Sequence, residues 1–153
     1  MPTVPSHWFA VFTPSTWGNF ISIGSSQLGF GERSVKKLKN VRVGDIFIAY
    51  ISSAKKIGGV YRVTGEFTRD GIQVWKTAQF PFCLPVQKVF EFDLDAAPEF
   101  LSLASTQSWF NRLPNKKYWS FVFRNPPRLL KSNDGLEMVE AISNLSIISD
   151  GNE

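Results

Sequence analysis

The chain has 153 residues, enough for one ordinary domain with a buried core and too few for two independent ones. Charged residues make up 20% and hydrophobic residues 43%, and no stretch approaches the roughly 18 apolar residues of a membrane span, so no membrane partner and a cytoplasmic location are expected. The net charge of +4 favours an anionic partner.

Cys83 and His7 are the only residues of their kinds. One cysteine cannot form an intrachain disulfide, and one of each cannot build a Cys/His zinc site. Ser-His-Asp or Cys-His chemistry would have to run through His7 beside the N-terminus. The expectation is therefore a binding protein with no catalytic residue, no metal and no cofactor. Aromatic residues reach 14%, with five Trp and fourteen Phe, and such rings must fill a core or line a site.

In chain order, residues 7–13 (HWFAVFT) read as a first strand that ends at Pro14. Residues 14–21 read as a short helix with Ser15 or Thr16 as N-cap and Trp17, Phe20 and Ile21 at helical spacing. Gly24, Gly29 and Gly31 punctuate residues 22–33, which predicts an irregular loop carrying Leu28 and Phe30. Residues 33–42 (RSVKKLKNVR) hold five basic side chains in ten. After a turn at residues 43–45, the apolar run 46–51 predicts a strand covered on both faces, and residues 60–67 a half-buried partner that makes a hairpin with it.

Residues 68–79 form a longer polar loop with Trp75 near its middle. Residues 80–92 look strand-like but contain Pro85, which predicts a bend or an edge position. Short helical turns are expected at 95–103 and 106–110, and a strand at 118–124 in which Trp119, Phe121 and Phe123 share one face. A closing helix over 134–142 has Asp134 as N-cap, Glu137 completing a capping box, and Leu136, Val139 and Ile142 as its apolar stripe. The domain is placed at residues 1–146, with 147–153 a polar tail or the start of a linker. The class is α+β: a small mixed sheet curled toward a barrel and flanked by short helices.

The aromatic first strand, Leu28-Gly29-Phe30, Leu38 with VRVGD (41–45) ahead of IFIAYI, GGVYRVTGEF (58–67), and NKKYWS (115–120) with a closing helix follow one another in an order that resembles the EVE domain of the PUA-like superfamily, a sibling of the YTH domain. The resemblance runs from about residue 7 to 143. It implies a compact β-barrel whose pocket accepts one flipped, commonly methylated, nucleobase. It also implies a place at the N-terminus of McrB-type restriction GTPases, which would make an AAA+ GTPase a fused or acting partner and modified DNA, rather than RNA, the favoured nucleic acid. This sequence departs from the pattern at Leu28, where YTH domains and many EVE proteins carry a cage tryptophan just before the glycine.

A flipped base needs two flat faces, hydrogen bonds to its edge, and cations along its strand. Trp75 is the foremost candidate, being a large ring in a polar loop and standing, by the resemblance, where YTH domains place a second cage tryptophan. Trp17 is equally suited to core or pocket. Leu28 and Phe30 are offered by the glycine-flanked loop, and Thr13, Ser15 and Thr16 supply hydroxyls and helix-start amides at the end of the first strand, where capping is the competing role. Lys36, Lys37, Lys39 and Arg42, with Lys55 and Lys56 in the hairpin connection and Lys116 and Lys117 ahead of the 118–124 strand, are the phosphate-binding candidates, and Arg128 on the far side of that strand could also reach a backbone. The reading is a nucleic-acid module, monomeric in isolation, that recognises a modified base. Recognition of modified RNA, a protein interaction module and an enzyme acting on a nucleobase or nucleotide are the alternatives.

Overall fold

The computed structural model describes residues 4–70, 74–75, 80–104, 107–113, 123 and 126–151. Six strands form one sheet: β1 (His7–Phe12), β2 (Gln27–Phe30), β3 (Ile46–Ile51), β4 (Lys56–Val63), β5 (Phe82–Glu91) and β6 (Arg128–Leu129), in spatial order β2-β5-β4-β3-β1-β6. β1 runs parallel to β3 and every other pairing is antiparallel. The helices are α1 (Pro14–Ser22), α2 (Val35–Leu38) behind a 3-10 turn at Glu32–Ser34, α3 (Phe100–Ala104), α4 (Ser108–Asn111) and α5 (Ser132–Gly151). This is the expected α+β class with a mixed, curled sheet.

Strand alternation divides the core in two. Trp8, Ala10 and Phe12 of β1 face inward with Phe47, Ala49 and Ile51 of β3, Tyr61 and Val63 of β4, and Leu28 and Phe30 of β2. Phe9, Ile48, Tyr50 and Val60 face the other way, onto Phe100 and Leu103 of α3 and Met138 and Ile142 of α5. Phe123 joins this second core, its ring stacked on Tyr50 with centroids 3.6 Å apart and planes 5° from parallel. β1 and β3 are covered on both faces, which explains their near-continuous apolar sequences.

The hairpin begins earlier than alternation suggests, because residues 56–59 already pair with β3, with a register shift between Ala49 and Tyr50. Pro85 is not at an edge. Residues 82–85 of β5 pair with β2 and residues 86–91 with β4, so the proline stands where the strand changes partner, and its carbonyl still accepts from Thr64 N–H at 3.0 Å. Residues 27–30, expected as irregular loop, are the strand β2. In α5 the helix starts two residues before Asp134 and extends through Gly151, past the expected boundary at 146. Met138 rather than Leu136 is buried, Leu136 being 52% exposed. The expected strand at 118–124 lies outside the described residues except at Phe123, which adopts a 3-10 conformation. Among the described residues no helix is long and apolar enough to cross a membrane.

Candidate functional site

β2 and β1 are separated in the sheet by β5, β4 and β3, yet residues of both line a single recess of about 90 Å3. The sheet must curl to bring them together. Leu28, Gly29 and Phe30 form one wall, Ala10 to Phe12 the opposite one, and Thr16, Ser34, Trp75, Phe80 and Pro126 complete the rim. Leu28 and Phe30 are held by antiparallel pairing with Leu84 and Phe82, and the Phe30 ring lies 5.9 Å from that of Phe47. They are fixed parts of the core.

Trp75 is placed differently. It sits in a short helical turn with Val74, whose N–H reaches Asp70 O at 3.1 Å, and its ring lies 5.5 Å from Phe80 at 60°. The indole edge covers Gly29 so closely that a Cβ there would come within 2.7 Å of Cε2 and Nε1. Glycine is therefore required by approach rather than by backbone conformation. The indole Nε1–H is buried and finds no acceptor among the described residues. An unpaired buried donor of this kind costs about 1–3 kcal/mol.

Of the other predicted pocket residues, Trp17 belongs to the core. Its ring packs on Phe12 and Phe20, with centroids 5.3 and 5.7 Å away, and its outer edge fills the space left by Gly58. Thr13 and Ser15 lie outside the recess lining. Thr13, not Ser15 or Thr16, is the N-cap of α1: its hydroxyl accepts from Thr16 N–H at 3.1 Å, and Thr16 Oγ1 accepts from Thr13 N–H at 2.8 Å. Of the three candidates at the start of α1 only Thr16 lines the recess, its hydroxyl engaged with Thr13, and Phe80, Ser34 and Pro126 are lining residues that spacing alone did not signal.

Lys36, Lys39 and Arg42 are exposed and Lys37 half-buried, on α2 and the turn after it, directly following Ser34 of the recess. Lys55 is exposed at φ +58, but Lys56 Nζ is engaged, donating to Leu94 O at 3.0 Å, and neither lines the recess. Lys116 and Lys117 lie outside the described residues. The turn into β3 is fixed by Asp45, whose buried carboxylate accepts from Ser6 N–H and Arg42 N–H, each at 3.0 Å, and from Trp8 Nε1 at 3.1 Å. Glu91 accepts from Ser25 Oγ at 2.5 Å and Tyr61 Oη at 2.7 Å, tying the α1–β2 connection to the hairpin. Burial first, and then the bond to the Glu91 carboxylate, pushes the Tyr61 hydroxyl far above its ordinary range, so it stays a donor. Burial likewise raises the Cys83 thiol, with Asp70 adding to the shift, which makes a reactive thiolate unfavourable.

No protein-family model matches the chain, and no curated protein does. Solved structures do match. The chain is similar to a hypothetical protein from Leishmania major, at 12% identity over 92% of this chain and 96% of that one, with a TM-score of 0.64. It is similar to the YTH domain of the Zygosaccharomyces rouxii MRB1 protein, solved in complex with N6-methyladenosine RNA, at 11% identity over 93% and 91%, TM-score 0.64. The Pho92 YTH domain, solved in complex with m6A, matches at 12% identity over 93% and 85%, TM-score 0.66. At these identities the likeness is one of fold, and the fold is YTH-like.

Proposed function

We propose that this chain is a nucleic-acid-binding module that takes one modified, methylated base, flipped from its strand, into the recess beneath Trp75. The observation that carries the reading is the Trp75 Nε1–H, buried without an acceptor among the described residues at a recess walled by aromatic and aliphatic side chains. A base offers an edge acceptor for the N–H or, once Trp75 turns, a flat face for its ring, and its methyl group finds an apolar surface at Leu28. The recess is smaller than the roughly 300–1,000 Å3 of ordinary ligand pockets. Entry therefore moves a wall, and the wall that moves is Trp75, on its short turn, while Leu28 and Phe30 stay fixed in the sheet. Lys36, Lys37, Lys39 and Arg42 take the phosphates beside the base.

The module binds without turnover. Glu66, Asp70, Asp93 and Asp95 are exposed and away from the recess lining, and Glu91 is occupied by Ser25 and Tyr61. The favoured strand is DNA, in an EVE-type recognition domain of a modification-dependent restriction system acting with an AAA+ GTPase. This follows the order of motifs from Leu28-Gly29-Phe30 to VRVGD and GGVYRVTGEF. Modified RNA is the second reading, favoured by the two fold neighbours solved with N6-methyladenosine or its RNA.

The test is binding to oligonucleotides carrying 6-methyladenine, 5-methylcytosine, 4-methylcytosine or 5-hydroxymethylcytosine, as DNA and as RNA, single- and double-stranded. At least one modified strand should bind about tenfold or more tightly than its unmodified counterpart, the low end of what stacking a base supplies. Trp75→Ala should remove that preference, and Trp75→Phe, which keeps a ring where truncation could unfold the site, should retain part of it. Equal affinity for all strands in the native protein would sink the reading.

A further inference from the structure

A second and larger cavity, about 490 Å3, lies next along β1. The first recess takes Ala10 to Phe12 and the second takes Ser6 and Trp8, about 10 Å away at 3.3 Å per residue. At the rim of the first cavity Ser34 Oγ donates to Pro126 O at 2.7 Å. Ser34 and Pro126 line the first cavity, whereas Lys37, a turn beyond Ser34, and Pro127, the next residue after Pro126, line the second.

The chemistry of the second cavity differs from that of the first. Trp8 lines the second cavity, held by the bond from Nε1 to Asp45 and by stacking on Phe47 at 6.2 Å and 14°. Two cations also line it, Lys37 from α2 and Arg128 from β6, and no carboxylate is among its lining residues. Asn40 supplies an amide that can both donate and accept. Leu129, 55% exposed at the rim, supplies an apolar surface. Cations with an amide and an apolar face suit a nucleotide: phosphate, base edge and base plane in one unit. The volume is within the range of a small-ligand site.

We propose that this cavity holds the nucleotide adjacent to the flipped base on the same strand, its phosphate at Lys37 and Arg128 and its base against Leu129 and Pro127. The protein then reads a two-nucleotide unit. This inference rests on the base-reading function proposed above and adds a second subsite to it.

Single-stranded oligonucleotides with one modified base, each also carrying one abasic position, would be titrated against the native protein and against Leu129→Glu and Arg128→Ala. An abasic position at one neighbour of the modified base should weaken binding about tenfold, the low end of the stacking range of about 1–3 kcal/mol. In Leu129→Glu that penalty should vanish. In Arg128→Ala, affinity should fall for every strand and its salt dependence should decrease. An abasic profile that is flat while the modified base is still preferred overturns the second subsite and leaves the base reader standing. Loss of any preference for the modified base removes both. Competition by an acidic peptide as effective as that by an oligonucleotide of equal charge also overturns the subsite, making the cavity a generic anion dock.

Discussion

Gly29 and Trp75 control the recess as a pair, because the glycine's missing side chain is the space that the indole edge occupies. Gly29→Ala would place a Cβ 2.7 Å from the ring and 3.1 Å from Phe80 Cβ, and the indole is the more movable neighbour. The expected result is a displaced Trp75, a loss of about tenfold or more in preference for the modified strand, and a stability cost of about 1–3 kcal/mol from overpacking. Binding titrations paired with urea unfolding separate the two effects. His7 offers a different probe. It is buried beside Gly135 of α5 with Nδ1 unpartnered among the described residues, and burial lowers its pKa from the ordinary 6.5, against a smaller opposing pull from Asp45. The neutral ring is thus favoured in the fold, and the unfolded chain binds the extra proton first. Stability should be level above about pH 6.5, fall as pH drops from there toward the lowered folded value, and lose at most about 1.4 kcal/mol per pH unit. Because His7 is the only histidine, thermal melts between about pH 5 and 7 follow its contribution. His7→Gln should flatten the profile.

The β3–β4 hairpin shows why some elements are legible in the sequence and others are not. Apolar runs at 7–12 and 46–51 announce β1 and β3, and alternation announces most of β4, since these patterns follow directly from which faces are covered. The start of β4 is hidden by Gly58 and Gly59, which read as a loop but are strand residues kept small by their surroundings: Trp17 against the first, Tyr61 and the Phe90 carbonyl against the second. β2 is hidden for a similar reason, Gly29 and Gly31 looking like loop punctuation while β5 supplies the pairing. Trp75 can be picked out because a large ring among polar residues lacks a local purpose. Trp17 cannot be assigned to core or pocket from sequence, because its fate depends on the gap left at Gly58. The two glycines should respond unequally to a methyl group. Gly58→Ala meets the tip of Trp17 at 2.6 Å, and Gly59→Ala meets backbone oxygen at 2.5 Å, which cannot turn aside. Both should destabilise, Gly58→Ala by about 1–3 kcal/mol and Gly59→Ala by more, measured as the shift in urea midpoint.

At the scale of the whole molecule the sheet separates two duties. Its convex side is sealed by α3 and α5 through a dense ring cluster, Phe9 and Phe123 at 4.9 Å and Phe100 and Phe123 at 4.8 Å among them. Its concave side, nearest β1 and β2, carries the recess, with the cations of α2 beside it. Removing Lys36, Lys39 and Arg42 together should weaken oligonucleotide binding at every sequence. The slope of log K against log salt should fall by about 0.7 for each phosphate that these side chains neutralise on a single strand. The preference for a modified base should survive, since these side chains do not line the recess. The sheet order has one more consequence, for the growing chain. β1, β3 and β4 can pair as soon as Val63 has been made, but β2, made before β3, has its strand partner only in residues 82–85. Leu28 and Phe30 must therefore wait as unpaired apolar chain while the centre of the sheet assembles, and a chain ending before β5 would carry a formed hairpin but no paired strand to wall the recess.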